Sequence, residues 1–386
     1  MYYVTTGNHR LIGAKLDLFH FQDDAAGSVF WHPDGEALYS AVQDHLKPIL
    51  EAGGYQFVRS PQLYRNDMWK LSGHWDHYRD NMYRVGEDML LKPMNCPAHI
   101  QIYKARNVSQ HDLPLRYAEF GICHRNEPSG ALNGLMRLRQ FVQDDGHIFC
   151  KPDQVESEIA NFCAMISKVY ADFEFHDVRA AISLRPDDRA GSDEDWDRAE
   201  KALIQAVEAS GISYELQPGE GAFYGPKLEF SLRDSLGRDW QCGTAQLDFV
   251  LPERFGLDYD VPGGRDRPVM IHRAVLGSIE RFIGILLEEH GAKLPYAFRP
   301  VQAVLLPIGE KHHEACVKIA ADLRKVGVRI RIEAKGGLSK RIRQAHAHGR
   351  ISVVIGDNEI ASGRANVRGL GDVAVINLAE KLPEAA

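Results

Sequence analysis

The sequence has little cysteine, no long apolar run and no repetition, and each shortage removes a class of protein. Six cysteines in 386 residues, at positions 96, 123, 150, 163, 242 and 316, are too few for a disulfide-stapled secreted scaffold. A reducing cytoplasm is the expected setting, where an important cysteine is a metal ligand or a buried thiol. No stretch reaches the ~18 apolar residues of a membrane span. The start, MYYVTTGNHRLIG, lacks the apolar core of a secretory signal and the Arg/Ser bias of a transit peptide. No internal repeat or low-complexity segment is found. What is present, 44% hydrophobic and 26% charged residues, is the composition of a soluble chain with a real core, and the length predicts two or three domains.

The net charge of −7 is unevenly spread. From Val301 to Ala386 there are 14 Lys and Arg against 9 Asp and Glu, a balance of +5, which leaves −12 for the first 300 residues. A basic tail on an acidic body suits a polyanionic partner, RNA first among them, although a chance fluctuation of surface charge gives the same count.

A domain boundary is expected near Leu294–Pro300, where two prolines follow a helical pattern, so the domains read as 1–297 and 298–386. In the second, Val301–Ile308, Val328–Ile332 and Ile351–Ile355 read as strands, and His312–Val326 and the basic Ser339–His348 as helices: a small α/β domain. In the first, Met270–His290 reads as one helix, with Val275, Ile279, Phe282, Ile283 and Leu286 at helical spacing and Gly291 as a stop. Phe223–Phe230 and Gln241–Val250 alternate like strands around a turn rich in Asp, Gly and Arg. The expected class is α+β with an antiparallel sheet.

The densest chemical signal is CHRNEPSGALNGLMRLRQFVQDDGHIFC, Cys123–Cys150. Two strands joined by the PSGALNG turn would point alternate side chains at one face. Arg125, Arg137 and Arg139, with Glu127 and the Asp144–Asp145 pair nearby, could bind phosphate bidentately. A surface hairpin laced with salt bridges reads equally from these residue types. Arg281, inside an apolar helix one turn after Gly277 and Ser278, requires a counter-charge, either phosphate or an interface carboxylate. Cys96, His147 and His272 form a legitimate three-ligand zinc set with a fourth position open. At separations of 51 and 125 residues they make no local signature, unlike a paired CxxC.

Taken together, these blocks resemble the threonyl-tRNA synthetase family of class II aminoacyl-tRNA synthetases. The Cys123–Cys150 segment resembles the second signature motif. KPMNCPAH, GEGAFYGPKLEF, WQCGTAQLDF and MIHRAVLGSIERF look like the other core blocks in the same order, and FVRSPQL, with Pro61, like the dimer-forming first motif. The resemblance runs from about His9 to the C-terminus. It implies a class II antiparallel-sheet catalytic domain over 1–297 and an anticodon-binding-like α/β domain over 298–386. The implied activity is a cytoplasmic, homodimeric threonine–tRNA ligase using ATP with Mg²⁺, one zinc ion per subunit, L-threonine and tRNA(Thr).

By the same resemblance Arg125 holds the α-phosphate and the amino-acid carboxylate, Glu127 contacts the adenine region and Phe141 stacks on the base. Arg137 and Arg281 meet the terminal phosphates, and Gln241 lines the ATP pocket. Cys96, His147 and His272 match the zinc ligands, whose open position takes the amino group and hydroxyl of threonine together and so rejects valine. Asp145, Tyr224, Gln143, Gln246 and Lys227 match positions around the substrate. His74, in LSGHWDHY, matches a histidine that helps deprotonate the tRNA ribose, its alternative being simple packing beside Trp75.

Two departures are visible. The core begins within the first ten residues, so a compact form without the N-terminal editing region is expected, one that makes seryl-tRNA and cannot clear it in cis. The tail resembles the anticodon-binding domain less closely. Glu359 and Arg368 match anticodon-contacting positions, but EAKGGLSK is one residue short and GLGDVAV lacks a basic loop, so anticodon reading is expected to be relaxed, altered or lost. Lys335, Lys340, Arg341, Arg343 and Arg350 are left to hold an RNA backbone. Two other readings use the same residues: a paralogue that loads threonyl-adenylate onto a non-tRNA acceptor such as a carrier protein, and a non-catalytic RNA-binding or amino-acid-sensing relative.

Overall fold

The computed structural model describes residues 8–234 and 237–386. Met1–Gly7, at the head of the first expected domain, and Ser235 and Leu236, in the expected Asp/Gly/Arg turn, lie outside the described residues. The chain divides into two compact units. One comprises Phe21–Val29 and Asp44–Ile285; the other comprises the described residues up to His20, Phe30–Gln43 and Leu286–Ala386. This division is discontinuous along the chain, whereas the sequence reading draws a single boundary at 297/298.

The larger unit is built on an eight-stranded sheet: β1 (Gln56–Phe57), β2 (Leu115–His124), β3 (Gln140–Cys150), β4 (Val178–Ser183), β5 (Tyr214–Gln217), β6 (Lys227–Arg233), β7 (Asp239–Asp248) and β8 (Val269–Ala274). Their spatial order is β5-β4-β6-β7-β8-β3-β2-β1. The pairings are antiparallel except at the two edges, where β5 runs parallel to β4 and β1 to β2. The α+β class with a largely antiparallel sheet is therefore as expected.

Helices α1 (Cys96–Lys104), α2 (Val155–Asp172) and α3 (Asp193–Ser210) belong to this unit. In α2, Ile159, Phe162, Cys163, Ile166, Val169 and Tyr170 recur at helical spacing and are buried. Ser192 caps α3, accepting from the Asp195 backbone N–H at 3.2 Å, and Gly211 in the left-handed region ends it. The two helices pack on each other and on β7. Gly243 of β7 permits that approach, because a Cβ there would come within 2.1 Å of Ile166 Cδ1.

One expectation is corrected. Met270–His290 is not a single helix: Val269–Ala274 is strand β8, and helix α4 runs only from Ile279 to His290. Gly277, at φ +72°, turns the chain between them. All six residues of β8, His272 and Arg273 included, are buried, and a strand buried on both faces shows no polar–apolar alternation that would separate it from a buried helix.

In the other unit a five-stranded sheet comprises β9 (Ala303–Pro307), β10 (Ile330–Ile332), β11 (Ile351–Ile355), β12 (Arg364–Val367) and β13 (Gly371–Ala374), ordered β10-β9-β11-β12-β13. Helices α5 (His313–Lys325), α6 (Leu338–Ala347) and α7 (Asp357–Ser362) accompany it, α5 and α6 lying within a residue or two of the predicted spans. Leu305, Ala320, Leu323, Ile330, Val353 and Val367 share its core. Each of the buried leucines, isoleucines and valines contributes ~1.5–3 kcal/mol by leaving water.

Candidate active site

Strand β3 alternates with period two, so Phe141, Gln143, Asp145 and His147 share one face and Val142, Asp144 and Gly146 the other. This separates the two adjacent aspartates. Asp144 turns away to a buried ion pair with Arg273, Oδ1 to Nη1 2.6 Å, and its Oδ2 accepts the backbone N–H groups of Val275 and Leu276. Asp145 stays on the site face, where Asn95 Nδ2 donates to it at 2.9 Å and burial pushes its carboxyl above the usual range. A bulge opposite Phe230/Ser231 makes Cys242 an extra residue in β7, which lets Gln241 join Thr244 and Gln246 along one cavity.

That cavity holds about 380 Å³. Arg125, Glu127, Arg137, Phe141, Gln143, Gln241, Gln246 and Arg281, all singled out in the sequence, line it together with Tyr78 and Ser278. Its electrostatics are unbalanced. Glu127 is committed to Arg137 at 2.8 Å, and among the described residues no carboxylate pairs with Arg125 or Arg281. Arg281 Nε donates only to the Met136 carbonyl at 2.9 Å. Burial, then the nearby guanidinium groups of Arg125 and Arg137, hold its pKa below the usual arginine value. The Arg125 guanidinium lies 5.0 Å from the Phe141 ring centre. Guanidinium groups gathered without counter-ions make an anion site, and the flat ring beside them suits a stacked base.

Deeper lies the sulfur–nitrogen cluster. Registry places His147 of β3 directly opposite His272 of β8, and Cys96 opens α1 beside them. His147 Nε2 is 3.0 Å from His272 Nδ1, and His272 Nδ1 is 3.3 Å from Cys96 Sγ; all three donors lie within 4.8 Å of one another. Donors around one tetrahedral ion sit about 3.3–3.6 Å apart, so the set converges on a single point.

The outer hydrogen bonds give the stronger test of fit. Asp248 Oδ2 meets His272 Nε2 at 2.8 Å, so that nitrogen carries the proton and Nδ1 presents a lone pair. Glu119 Oε2 meets His99 Nε2 at 3.2 Å, and His99 Nδ1 meets His147 Nδ1 at 2.8 Å. With neutral rings the proton on His147 is therefore at Nδ1, and its Nε2 also presents a lone pair. Two lone pairs facing each other across 3.0 Å repel, and a cation between them removes the conflict. The donor chemistry fits a divalent metal.

The remaining residues fall around these two centres. The Tyr224 hydroxyl donates to Gln246 Oε1, and its ring lies 4.9 Å from that of His272. Lys227 Nζ donates to Glu229 at 2.6 Å rather than into the cavity. His74 is fully buried, its Nδ1 2.8 Å from the Ser72 hydroxyl, and its ring meets Trp69 and Phe223; Phe223 in turn touches Tyr224.

In the other unit Glu359 accepts the Gly356 N–H at 2.8 Å and so starts α7, while Arg368, without Glu359, lines a separate cavity of about 310 Å³ with Lys293, Arg299 and His346. The expected set of RNA-holding cations shrinks. Arg341 is buried and donates to the carbonyls of Pro307 and Glu333, and Arg350 pairs with Glu333 and Asp34. Both hold the fold together because their side chains have left water; Lys335, Lys340 and Arg343 stay exposed.

Sequence reasoning passed over Asn95, His99, Glu119, Glu229 and Asp248. Asn95 and His99 lie inside KPMNCPAH, Glu229 inside GEGAFYGPKLEF and Asp248 inside WQCGTAQLDF, so position within a block was the available signal. The partners of Asn95, His99, Glu119 and Asp248 at the site lie 20 to 50 residues away and come together only in the folded sheet.

Comparison with known proteins bears on this geometry. The family described as "tRNA synthetase class II core domain (G, H, P, S and T)" matches residues 79–290, and "Anticodon binding domain" matches 302–383. Threonine–tRNA ligase of Bordetella petrii is 49% identical over 380 residues, 96% of this chain and 58% of that protein. The Dechloromonas aromatica threonine–tRNA ligase is also 49% identical, over 98% of this chain and 61% of its own length. The chain thus spans about three-fifths of these curated relatives. The RNA binding domain of threonyl-tRNA synthetase from Cryptosporidium parvum superposes with a TM-score of 0.94 at 38% identity, over 98% of both chains.

Proposed function

The chain belongs to the class II tRNA synthetases, in the threonyl family, and from that premise we propose that it is a threonine–tRNA ligase, activating L-threonine with ATP and Mg²⁺ and transferring it to the 3′ end of tRNA(Thr). Residues 1–297 act as the catalytic domain and 298–386 as the anticodon-binding-like domain, a division supported by family matches that stop at 290 and resume at 302. A cytoplasmic homodimer, with Pro61 in the interface segment, completes the reading.

The observation that carries it is the Cys96–His147–His272 donor set beside a cavity where, among the described residues, Arg125 and Arg281 have no carboxylate partner. A thiolate with two imidazoles favours zinc. A zinc ion held by these three side chains would supply Lewis-acid coordination for the amino group and β-hydroxyl of threonine. Asp145, backed by Asn95, accepts from the same polar groups, and Tyr224, tied to Gln246, presents its hydroxyl oxygen. Phe141 gives its face to adenine, and Gln143 and Gln241 complete the pocket, while Lys227 stands behind it, bonded to Glu229. Arg125 aligns the threonine carboxylate with the α-phosphate; the carboxylate oxygen attacks, the bond to the β-phosphate breaks, and pyrophosphate departs. Arg137 and Arg281 offset the charge that gathers on the leaving phosphates.

ATP–pyrophosphate exchange with three amino acids, alongside metal analysis, tests the first step. Threonine is expected to support exchange with one zinc per chain, and valine to support ~10⁴-fold less, because it leaves a coordination position unfilled. Serine differs by a methyl group only and is expected within ~200-fold of threonine. Seryl-tRNA made by these 386 residues is expected to persist on incubation. Equal exchange with valine would defeat the reading, as would failure to charge tRNA carrying the threonine anticodon.

His74 is proposed to take the ribose proton in the transfer step, an imidazole being suited to that movement. His74→Ala is expected to slow single-turnover transfer by ~10²–10⁴-fold while changing exchange less than tenfold. Rapid transfer by the variant would return His74 to a packing role against Trp69 and Phe223.

A further inference from the structure

Behind the donor set lies a buried polar chain that the reaction does not use. Glu119, directly opposite Asp145 across the β2–β3 pair, is 5% exposed, Lys92 is 1% exposed and His99 is fully buried. Glu119 Oε1 accepts the Ser60 backbone N–H at 2.9 Å, its Oε2 accepts the Ser60 hydroxyl at 2.7 Å, and Lys92 Nζ stands 3.5 Å away, itself donating to Ser60 Oγ at 2.7 Å. Burial alone would raise the Glu119 carboxyl, but the hydrogen bonds from His99 and Ser60 and the charge of Lys92 hold it at about 2. A carboxylate so satisfied can only accept, so His99 is oriented with its Nε2 proton toward Glu119. Taking Glu119 and Lys92 out of water costs several kcal/mol per ion before pairing. An apolar pair would fill the space more cheaply, but it could not orient an imidazole.

We propose that Glu119, acting through His99, and Asp248, acting directly, are positioning residues that set the proton positions of His147 and His272 so that both lone pairs face the metal. The Glu119 branch also ties that arrangement to Ser60, the residue before Pro61 in the first-motif segment. Asp248 is anchored as firmly, its Oδ1 accepting the backbone N–H groups of Val250 and Leu251. The inference rests on the metal reading above and concerns only how this chain prepares its ligands. Outer partners of ligating histidines are typically worth 10–100-fold in metal affinity.

The test uses Co²⁺ as the probe, competed against a chelator, with its thiolate charge-transfer and d–d bands recorded for the full chain. Wild type is expected to take up one Co²⁺ with a tetrahedral spectrum. His99→Gln and Asp248→Asn are each expected to weaken binding 10–100-fold and to alter the d–d bands. Glu119→Gln is expected to match His99→Gln, and the Glu119/His99 double variant to lose no more than either single one, because both cut the same branch. Melting of the metal-free proteins separates a folding defect from a ligand defect, and His99→Gln keeps Glu119 bonded to Ser60 and Lys92 should Glu119→Gln fold poorly. Wild-type protein that binds no Co²⁺ would remove the metal reading itself. Wild-type affinity and an unchanged spectrum in His99→Gln and Asp248→Asn would overturn this inference while leaving that reading intact.

Discussion

Threonine-dependent ATP–pyrophosphate exchange is expected to fall at least ~10³-fold in Cys96→Ala, and what remains is expected to lose its preference for threonine over valine. Cys96 supplies the only anionic ligand in the set, and burial pushes its thiol well above the usual cysteine range, so a bound cation is what holds it as thiolate. Without that charge two neutral imidazoles remain, and much of the ~10–16 kcal/mol typical of a thiolate-containing structural zinc site goes with it. The valine comparison makes the test specific. General damage to the pocket lowers exchange for every amino acid alike, whereas loss of the metal collapses a ~10⁴–10⁵ preference toward the small factor that shape alone provides. The substitution removes one sulfur from a buried position, so circular dichroism and melting of the metal-free chain should change little. Exchange within tenfold of wild type, with the threonine preference intact, would mean that the three donors do not select the substrate.

The largest stability effect is expected at Asp144, which takes no part in the chemistry. Its carboxylate neutralises Arg273, a side chain 1% exposed, and caps two backbone N–H groups of the turn leading to Ser278 and Arg281. The Arg273 guanidinium also rests 4.5 Å from the Tyr55 ring centre, which supplies partial compensation only. Asp144→Ala strands a buried cation and is expected to cost ~3–5 kcal/mol. In a unit of this size that lowers Tm by on the order of 10 °C. Asp144→Ala combined with Arg273→Met, which removes the stranded charge, is expected to recover a substantial part of the loss. If the single variant melted at the wild-type temperature, the ion pair would be dispensable to the β3–β8 junction. Exchange activity at low temperature provides a second measure, because the turn that Asp144 holds carries Arg281 to the cavity wall.

Much of this arrangement was legible before folding was considered. The two strands and turn of the Cys123–Cys150 segment and the small α/β unit follow from short-range pattern, whereas Asp144 and Asp145, read as one pair, are separated by the sheet. The family blocks led to Cys96, His147 and His272, which their spacing alone could not. What failed was instructive in the same terms. Met270–His290 reads as a helix because β8 is buried on both faces and lacks polar–apolar alternation, and only its pairing between β7 and β3 makes it a strand. Arg341 and Arg350 look like RNA contacts because charge counts do not register which cations have carbonyl or carboxylate partners inside the fold.

The amino-acid sequence by itself determined the class of fold, the order of the chemical blocks and the residue types available to bind phosphate and metal, because periodicity, glycine placement and block identity are properties of neighbours along a chain. Only the tertiary structure decided which nitrogen of each imidazole faces inward and which arginines keep an unneutralised charge. It also decided which acid holds which base. Those outcomes depend on strand registry between residues 125 positions apart, as at His147 and His272, and on water being excluded around them, and neither exists until the sheet has closed.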